Sequence, residues 1–407
     1  MTYPVQPLKH MALVAVSNVD KKSADEELPV RLVNYTDVYY GDRITPELPL
    51  MLATATPAQV RAFRVRSGDV LITKDSEAAD DIGIPAFVDA SSADMVLGYH
   101  LAMLRPVISS VHPRYLYWAM ASDRLRGQLS AGATGVTRFG LRTDVIASAA
   151  VPYPRLGEQG LIADFLDTET ARIDALITKK RRMIELLGER DGARIEEVLC
   201  AAADREISLR RLLVGLPRYG AAEAGTTGAD EWPRYIRITD LTEAGLLRAD
   251  GILRLPPDIA TPFLLEDGDL LLARSGATVG KAFLYRGLMG SAAFAGYLIR
   301  FRADQRKILP ELIEAWTRTR HYWSQVRLAS LQATIENVSA EKYKDFSVPL
   351  VPRSRQGAVL VGVNAVRENN RLARGALIRQ IALLQEHRQA LITAAVTGDL
   401  DVPGAAA

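Results

Sequence analysis

Residues 159–187, QGLIADFLDTETARIDALITKKRRMIELL, read as one long amphipathic helix at the centre of the chain. A degenerate copy closes the chain over 356–400, ending LLQEHRQALITAAVTGDL. Apolar residues recur at Ile162, Phe165, Leu166, Ile173, Leu176, Ile177, Met183, Ile184, Leu187, Ile195 and Val198, mostly in steps of three, four and seven. The second stripe runs through Val359, Val363, Val366, Ala373, Leu377, Ile381, Leu384, Leu391 and Ala395. Stripes this long exceed ordinary globular helices, so they predict two rods of roughly 60 Å that satisfy each other as an antiparallel pair. Gly188 and Gly192 are expected to bend or loosen the first rod.

The rest of the chain is also written twice. Val151-Pro152 recurs as Val348-Pro349, 197 residues on. The same offset carries Pro113 onto Pro310, Gln128 onto Gln325, Gln159 onto Gln356, Leu186-Leu187 onto Leu383-Leu384 and Glu189 onto Glu386. With small shifts, Leu32–Val38 matches Tyr235–Leu241, and Arg66–Ile72 matches Glu266–Leu272. A repeat of this length predicts duplication of a whole module, since a solenoid stacks shorter units.

Each module has short strands introduced by a Gly-Asp turn, at Val70–Thr73 and Leu270–Ala273. Each also has one amphipathic helix opening at proline, over 113–129 and 310–327. The proline-bearing segment 348–352 reads as an edge strand or extended exit. The predicted class is α+β: two similar mixed modules, 1–155 and 205–352, with spacer helices at 156–204 and 353–400 and a flexible tail at 401–407. Together they form a pseudo-two-fold internal repeat.

The chain has 407 residues and 50 basic against 48 acidic side chains, so nucleic acid would have to be met on particular faces. One cysteine excludes a disulfide framework and a multi-thiolate metal site, and five scattered histidines argue against zinc. Cys200 is expected to pack as a small apolar residue. The opening residues lack a cationic segment followed by an apolar run, and no stretch approaches a bilayer span, which predicts a cytoplasmic protein without a membrane partner. Gly276–Ala282 imitates a phosphate loop, but has three residues between its glycines and Ala282 after Lys281, so its glycines read as turn formers. Lys179–Arg182 reads as a solvated face, and Trp316, Tyr322 and Trp323 as core. No nucleophile–base order, HExxH, methyltransferase signature or Gly-rich cofactor loop is present, so the chain is expected not to be an enzyme.

The two helical motifs resemble a known family. Leu156–Gln159, Ile162–Asp167 and Thr170–Ile177 resemble the central conserved region of type I restriction–modification specificity subunits. Leu384–Ile392 and Ala395–Leu400 resemble the distal one. The resemblance implies two target recognition domains, inverted relative to each other and separated by two antiparallel helices. It implies a non-catalytic subunit that reads a bipartite sequence on double-stranded DNA. It further implies two adenine-methylating modification subunits as partners, with S-adenosylmethionine on them and no cofactor on this chain, and motor-nuclease restriction subunits joining in a restriction complex. Rigid rods suit a bipartite target, because half-sites about one helical turn apart keep both readers on one face of the duplex.

Two loops per module are expected to face DNA. The first follows the Gly-Asp strand and carries Lys74 and Ser76, or Arg274, Ser275, Thr278 and Lys281. The second precedes the exit strand and carries Thr134, Thr137, Arg138 and Arg142, or Gln332, Thr334 and Asn337. Arg138 suits a guanine, and Gln332 or Asn337 an adenine, by bidentate geometry. Partner subunits are expected to dock on Phe165, Leu166, Ile173, Ile177, Ile184, Leu187, Leu377, Ile381, Leu384 and Leu391. The competing reading is a coiled-coil adaptor with two protein-binding modules, whose binding would respond weakly to salt.

Overall fold

The computed structural model describes residues 3–241, 247–287, 290–331 and 337–405. It divides into two compact units, Met1–Lys180 with Arg379–Ala407, and Arg181–Ile378. Each takes part of the central helix, Leu156–Ala202, and part of the distal helix, Arg353–Thr397.

In the first unit a five-stranded sheet runs in the order Ala12–Val16, Leu101–Pro106, Val70–Thr73, Pro85–Val88, Arg43–Ile44. A three-stranded sheet sets Leu28–Val33 antiparallel to Met51–Ala55 and parallel to Met95–Leu97. The second unit repeats the plan with fewer strands. Its four-stranded sheet runs Arg218–Tyr219, Leu298–Arg302, Asp269–Ala273, Ala282–Leu284, and its three-stranded sheet sets Arg234–Ile236 antiparallel to Leu253–Arg254 and parallel to Ala292–Phe294. The proline-bearing segment Ser347–Leu350 forms a two-stranded ribbon with Arg205–Ser208, as Ala150–Pro152 does with Val5–Pro7.

Buried polar groups explain why the two halves fold alike. Asp69 accepts the Arg66 N–H at 2.8 Å and Arg105 at 2.7 and 2.9 Å; Asp269 accepts the Glu266 N–H at 2.8 Å and Arg302 at 2.7 Å from two nitrogens. The preceding Gly68 and Gly268 have φ of +89° and +86°, a region open to glycine, which fixes the turn into each central strand. Gln128 clasps the Ala150 backbone, accepting at 2.8 Å and donating at 3.1 Å; Gln325 clasps Ser347 at 2.7 and 2.9 Å. Gln159 accepts the His112 N–H at 2.8 Å and Gln356 the Leu309 N–H at 2.9 Å, each at the entry to the helix that opens at Pro113 or Pro310. A buried amide with its partners in place is a demanding arrangement, and a duplicated sequence keeps it twice.

The helices serve the modules by exchange. The first core packs on Ile162 and Leu166 from the central helix and Ile392 and Val396 from the distal one; the second packs on Val359 and Val363, with Ile195 and Leu199. Within the first unit the helices run antiparallel, with Asp174 bonded to Arg388 at 3.0 Å and Lys180 to Gln380 at 2.6 Å. Within the second, Asn370 donates to the Leu187 carbonyl at 3.1 Å, and Gly362 faces Val198.

Several expectations change. The single amphipathic helices over 113–129 and 310–327 are each two. Pro113–Ala121 breaks at Ser122, whose hydroxyl caps Asp123–Gly132, and Pro310–Trp316 is followed by Thr319, which caps Arg320–Ser330. A Ser or Thr that can serve the next helix's free N–H groups stops the preceding one. The central helix continues through Gly188 and Gly192; at Gly192 a Cβ would lie 2.5 Å from the Arg318 carbonyl, so that glycine permits a close approach. The tail is packed as far as Ala405, with Val402 and Ala405 in the first core. Cys200 is exposed.

Four of the expected docking residues need correction. Leu166, Ile173, Ile177 and Leu377 are buried, and Phe165, Ile184, Leu187, Ile381, Leu384 and Leu391 are partly covered. The four buried residues point into the chain's own packing. The helix faces left open carry other apolar residues: Leu161, Leu176 and Leu383 in the first unit, and Met183, Leu186, Val361, Leu372 and Ile378 in the second. No helix among the described residues is long and apolar enough to cross a membrane.

Candidate nucleic-acid interface

In the first module Lys74 follows the strand Val70–Thr73. Its N–H donates to the His100 carbonyl at 3.0 Å and its carbonyl accepts from Leu141 at 2.8 Å. This places Asp75–Ser76 against Phe139–Gly140 and closes the loop between. The loop is tight at Gly135, where φ is +150° and a Cβ would strike the Arg138 carbonyl. Thr134, Thr137 and Arg138 are exposed on it. Arg142 is exposed and bonded to Asp144 at 3.0 Å, and Ser76 is buried in the short ribbon.

Charge here is organised by Asp75. Its carboxylate takes the Lys74 ammonium at 3.0 Å and His100 Nδ1 at 2.7 Å. Burial works to raise its pKa, but the bonds from His100 and Lys74 outweigh it and hold the carboxyl below the usual range. Arg138 lies 3.4 Å from the same histidine ring nitrogen. Beside this network Tyr35 and Tyr39 stack at 5.4 Å, and Tyr40 stands edge-on to Tyr39 at 4.8 Å. The Tyr39 hydroxyl donates to Asp81 at 2.8 Å, which pushes its pKa up to about 12. An open cavity of about 430 Å³ joins the tyrosines to Asp75, Ser76, Thr137 and Arg138.

The second module repeats the backbone and changes the side chains. The Arg274 N–H donates to Tyr297 at 3.0 Å, and its carbonyl accepts from Val338 at 2.8 Å. Ser275 bridges Asn337, as Asp75 pairs with Gly140. Gly276–Thr278 form a single turn that Lys281 closes onto Thr278 at 3.0 Å, so the glycines are turn formers here. Thr278 donates to the Ser275 carbonyl at 3.4 Å, and Asn337 Oδ1 is buried without a hydrogen bond. Gln332 and Thr334 lie outside the described residues. An open cavity of about 640 Å³ is lined by Ala221–Gly225, Tyr235, Arg237, Arg274, Gly296 and Tyr297.

Sequence reasoning missed His100, Tyr35, Tyr39, Tyr40, Tyr219 and Tyr297. His100 and Tyr297 stand one repeat apart, opposite Lys74 and Arg274, so carrying the offset through 97–101 would have found them. Among the described residues no group of His, Cys, Asp and Glu is arranged to hold a metal ion.

Each α+β unit follows its central strand with a cation, Lys74 or Arg274, and has an open recess lined by tyrosines and arginine, an arrangement suited to meeting DNA. The family model described as the type I restriction modification DNA specificity domain matches residues 18–186. The matched residues span most of the first module and the start of the central helix.

A chain from a structure described as the basis of complex assembly and conformational transition of the type I R-M system matches at a TM-score of 0.61 and 15% identity, over 98% of each chain. It shares the fold from end to end. The HsdS subunit from Thermoanaerobacter tengcongensis aligns at 15% identity over 98% of this chain and 97% of its own, with a TM-score of 0.42. The type I S subunit from M. genitalium aligns at 11% identity over 97% and 96%, with a TM-score of 0.38. Comparison with curated protein sequences gives no match.

Proposed function

We propose that this chain reads a bipartite double-stranded DNA target, one half-site per module, for a type I restriction–modification complex, and contributes no bond-making chemistry itself. The observation that carries this is the shared position of Lys74 and Arg274: the same two backbone hydrogen bonds present a cation at the same point of both modules. Duplicated scaffolds with divergent side chains suit a reader of two different half-sites. Thr137, Arg138, Arg274 and Lys281 supply donors for phosphates and base edges, while Asp75 holds Lys74.

Methyl transfer then belongs to modification subunits, two per chain, each carrying S-adenosylmethionine; restriction subunits join them in a nuclease complex. The exposed apolar residues of the helices, Leu176 and Leu383 among them, are the docking points in place of the buried stripe.

Co-purification with a modification subunit tests this. The expected assembly has two such subunits per chain and methylates adenines in a bipartite sequence. Exchanging residues 1–155 for another member's module should alter one half of that sequence. Methylation indifferent to this chain, or an exchange that alters both halves, would overturn the reading.

A further inference from the structure

We propose that Arg274 reads a guanine of the second module's half-site from the major groove; this rests on the DNA-reading function above and names its specificity determinant. Lys74 and Arg274 are backbone equivalents, yet their side chains are in opposite states. Lys74 is tied to Asp75 at 3.0 Å. Arg274 has no carboxylate partner among the described residues and its side chain donates no hydrogen bond. Its Nε is buried with nothing to bond among the described residues. Unused donors beside an open recess are costly unless something fills them, so they mark a place where acceptors arrive.

The guanidinium is also aimed. It lies over the Tyr219 ring, 4.9 Å from the centroid, and the Tyr219 hydroxyl accepts the Ala340 N–H at 3.1 Å, which fixes the ring. Stacking sets the plane of the donor fork. A planar fork matches two adjacent acceptors, and among the bases guanine alone offers two on its major-groove edge, O6 and N7.

A phosphate would also satisfy the fork, but the recess is poorly built for one. Glu223 lines it and repels an anion. Its other arginine, Arg237, is held by Asp240 at 2.6 Å. Much of the remaining lining is apolar, with Ala221, Tyr235, Leu253 and Ala295, which suits a base edge better than a solvated phosphate.

The test uses the complex with its modification subunits and sequencing of methylated adenines. Wild type should demand guanine at one position of a half-site, and Arg274→Lys should relax that position alone, with discrimination falling about 10- to 100-fold. A DNA-side measurement needs no variant. Replacing that guanine by 7-deazaguanine removes the N7 acceptor, which should cost wild type about tenfold in methylation rate and cost Arg274→Lys nothing further. An unchanged motif in Arg274→Lys, indifference of wild type to every 7-deazaguanine, or a uniform loss of rate across all sequences (the mark of a phosphate contact) would each overturn the assignment. Failure of the underlying function reads differently: wild type itself would methylate without sequence preference.

Discussion

In the first module the cation that follows the Gly-Asp strand leans on a carboxylate; in the second it lies over an aromatic ring. The backbone around the two is the same. The modules agree where a buried or half-buried polar group must be satisfied, at Asp69 and Asp269, Gln128 and Gln325, Gln159 and Gln356. They differ where side chains face the open recesses. Scaffold positions are held by the cost of stranding buried polar atoms, and recess positions escape that cost, which lets one fold read two sequences.

They also differ in how the helices are anchored. In the first module Trp118 and Arg114 bond Asp167 on the central helix, at 2.9 and 2.6 Å. In the second, Glu314 is buried with 7% exposure and bonds Arg318 at 2.7 Å and Arg367 of the distal helix at 2.5 Å. One repeat earlier stands Tyr117, tilted against Phe87 at 6.1 Å.

The sharpest break of the comparison is therefore Glu314→Gln. It removes the buried carboxylate that Arg318 and Arg367 share and should destabilise the second module by about 3–5 kcal/mol in urea unfolding, whereas Tyr117→Phe should cost about 0.5 kcal/mol or less in the first. The effect carries a pH signature. Burial works to raise the Glu314 pKa, but Arg318 and Arg367 outweigh it and hold the carboxyl below its ordinary 4.5. A depressed carboxylate contributes stability that is complete above 4.5 and disappears as pH falls through the lowered value. Wild type should lose that increment between about pH 5 and the acid limit, and Glu314→Gln should not.

Next in size is the central helix, where Ile173 is buried and Leu176 is 46% exposed. Ile173→Ala should cost about 2–5 kcal/mol in thermal or urea unfolding. Leu176→Asp should leave stability within about 0.5 kcal/mol and weaken capture of the modification subunit in a pull-down. Equal capture by wild type and Leu176→Asp would remove Leu176 from the docking face.

Gln128→Ala and Gln325→Ala sharpen the likeness instead. Each strands a backbone N–H and carbonyl, so each should cost about 1–3 kcal/mol, and by a similar amount. A large cost in one module alone would show that the repeated hydrogen bonds are not energetically equivalent.

The smallest effect is at Asp75. Asp75→Asn frees Lys74 to meet a phosphate, so fluorescence titrations should show tighter non-specific DNA binding and a salt dependence steeper by about one unit. Lys74→Ala alone should leave the recognised sequence unchanged.

Much of this was legible in the sequence. Helical periodicity and the 197-residue offset are local or one-dimensional properties, so the two long helices, the duplicated module and the strand at each Gly-Asp turn could be read without coordinates. The helix breaks at Ser122 and Thr319 were less legible, because a hydroxyl within a periodic stretch caps or passes unnoticed according to what the chain packs against. The open recesses were legible only as loops.

By itself the sequence determined the repeat, the rods and the family resemblance, since spacing and recurrence survive without knowledge of contacts. Only the tertiary structure decided which apolar stripe is buried, that Val402 and Ala405 close the first core, and that Lys74 is held by a carboxylate while Arg274 meets none among the described residues. Those are questions of which distant side chain arrives within bonding distance: Asp75 meets His100 across 25 residues and Glu314 meets Arg367 across 53. Local pattern carries no record of such meetings, because they are settled when the sheets and helices pack.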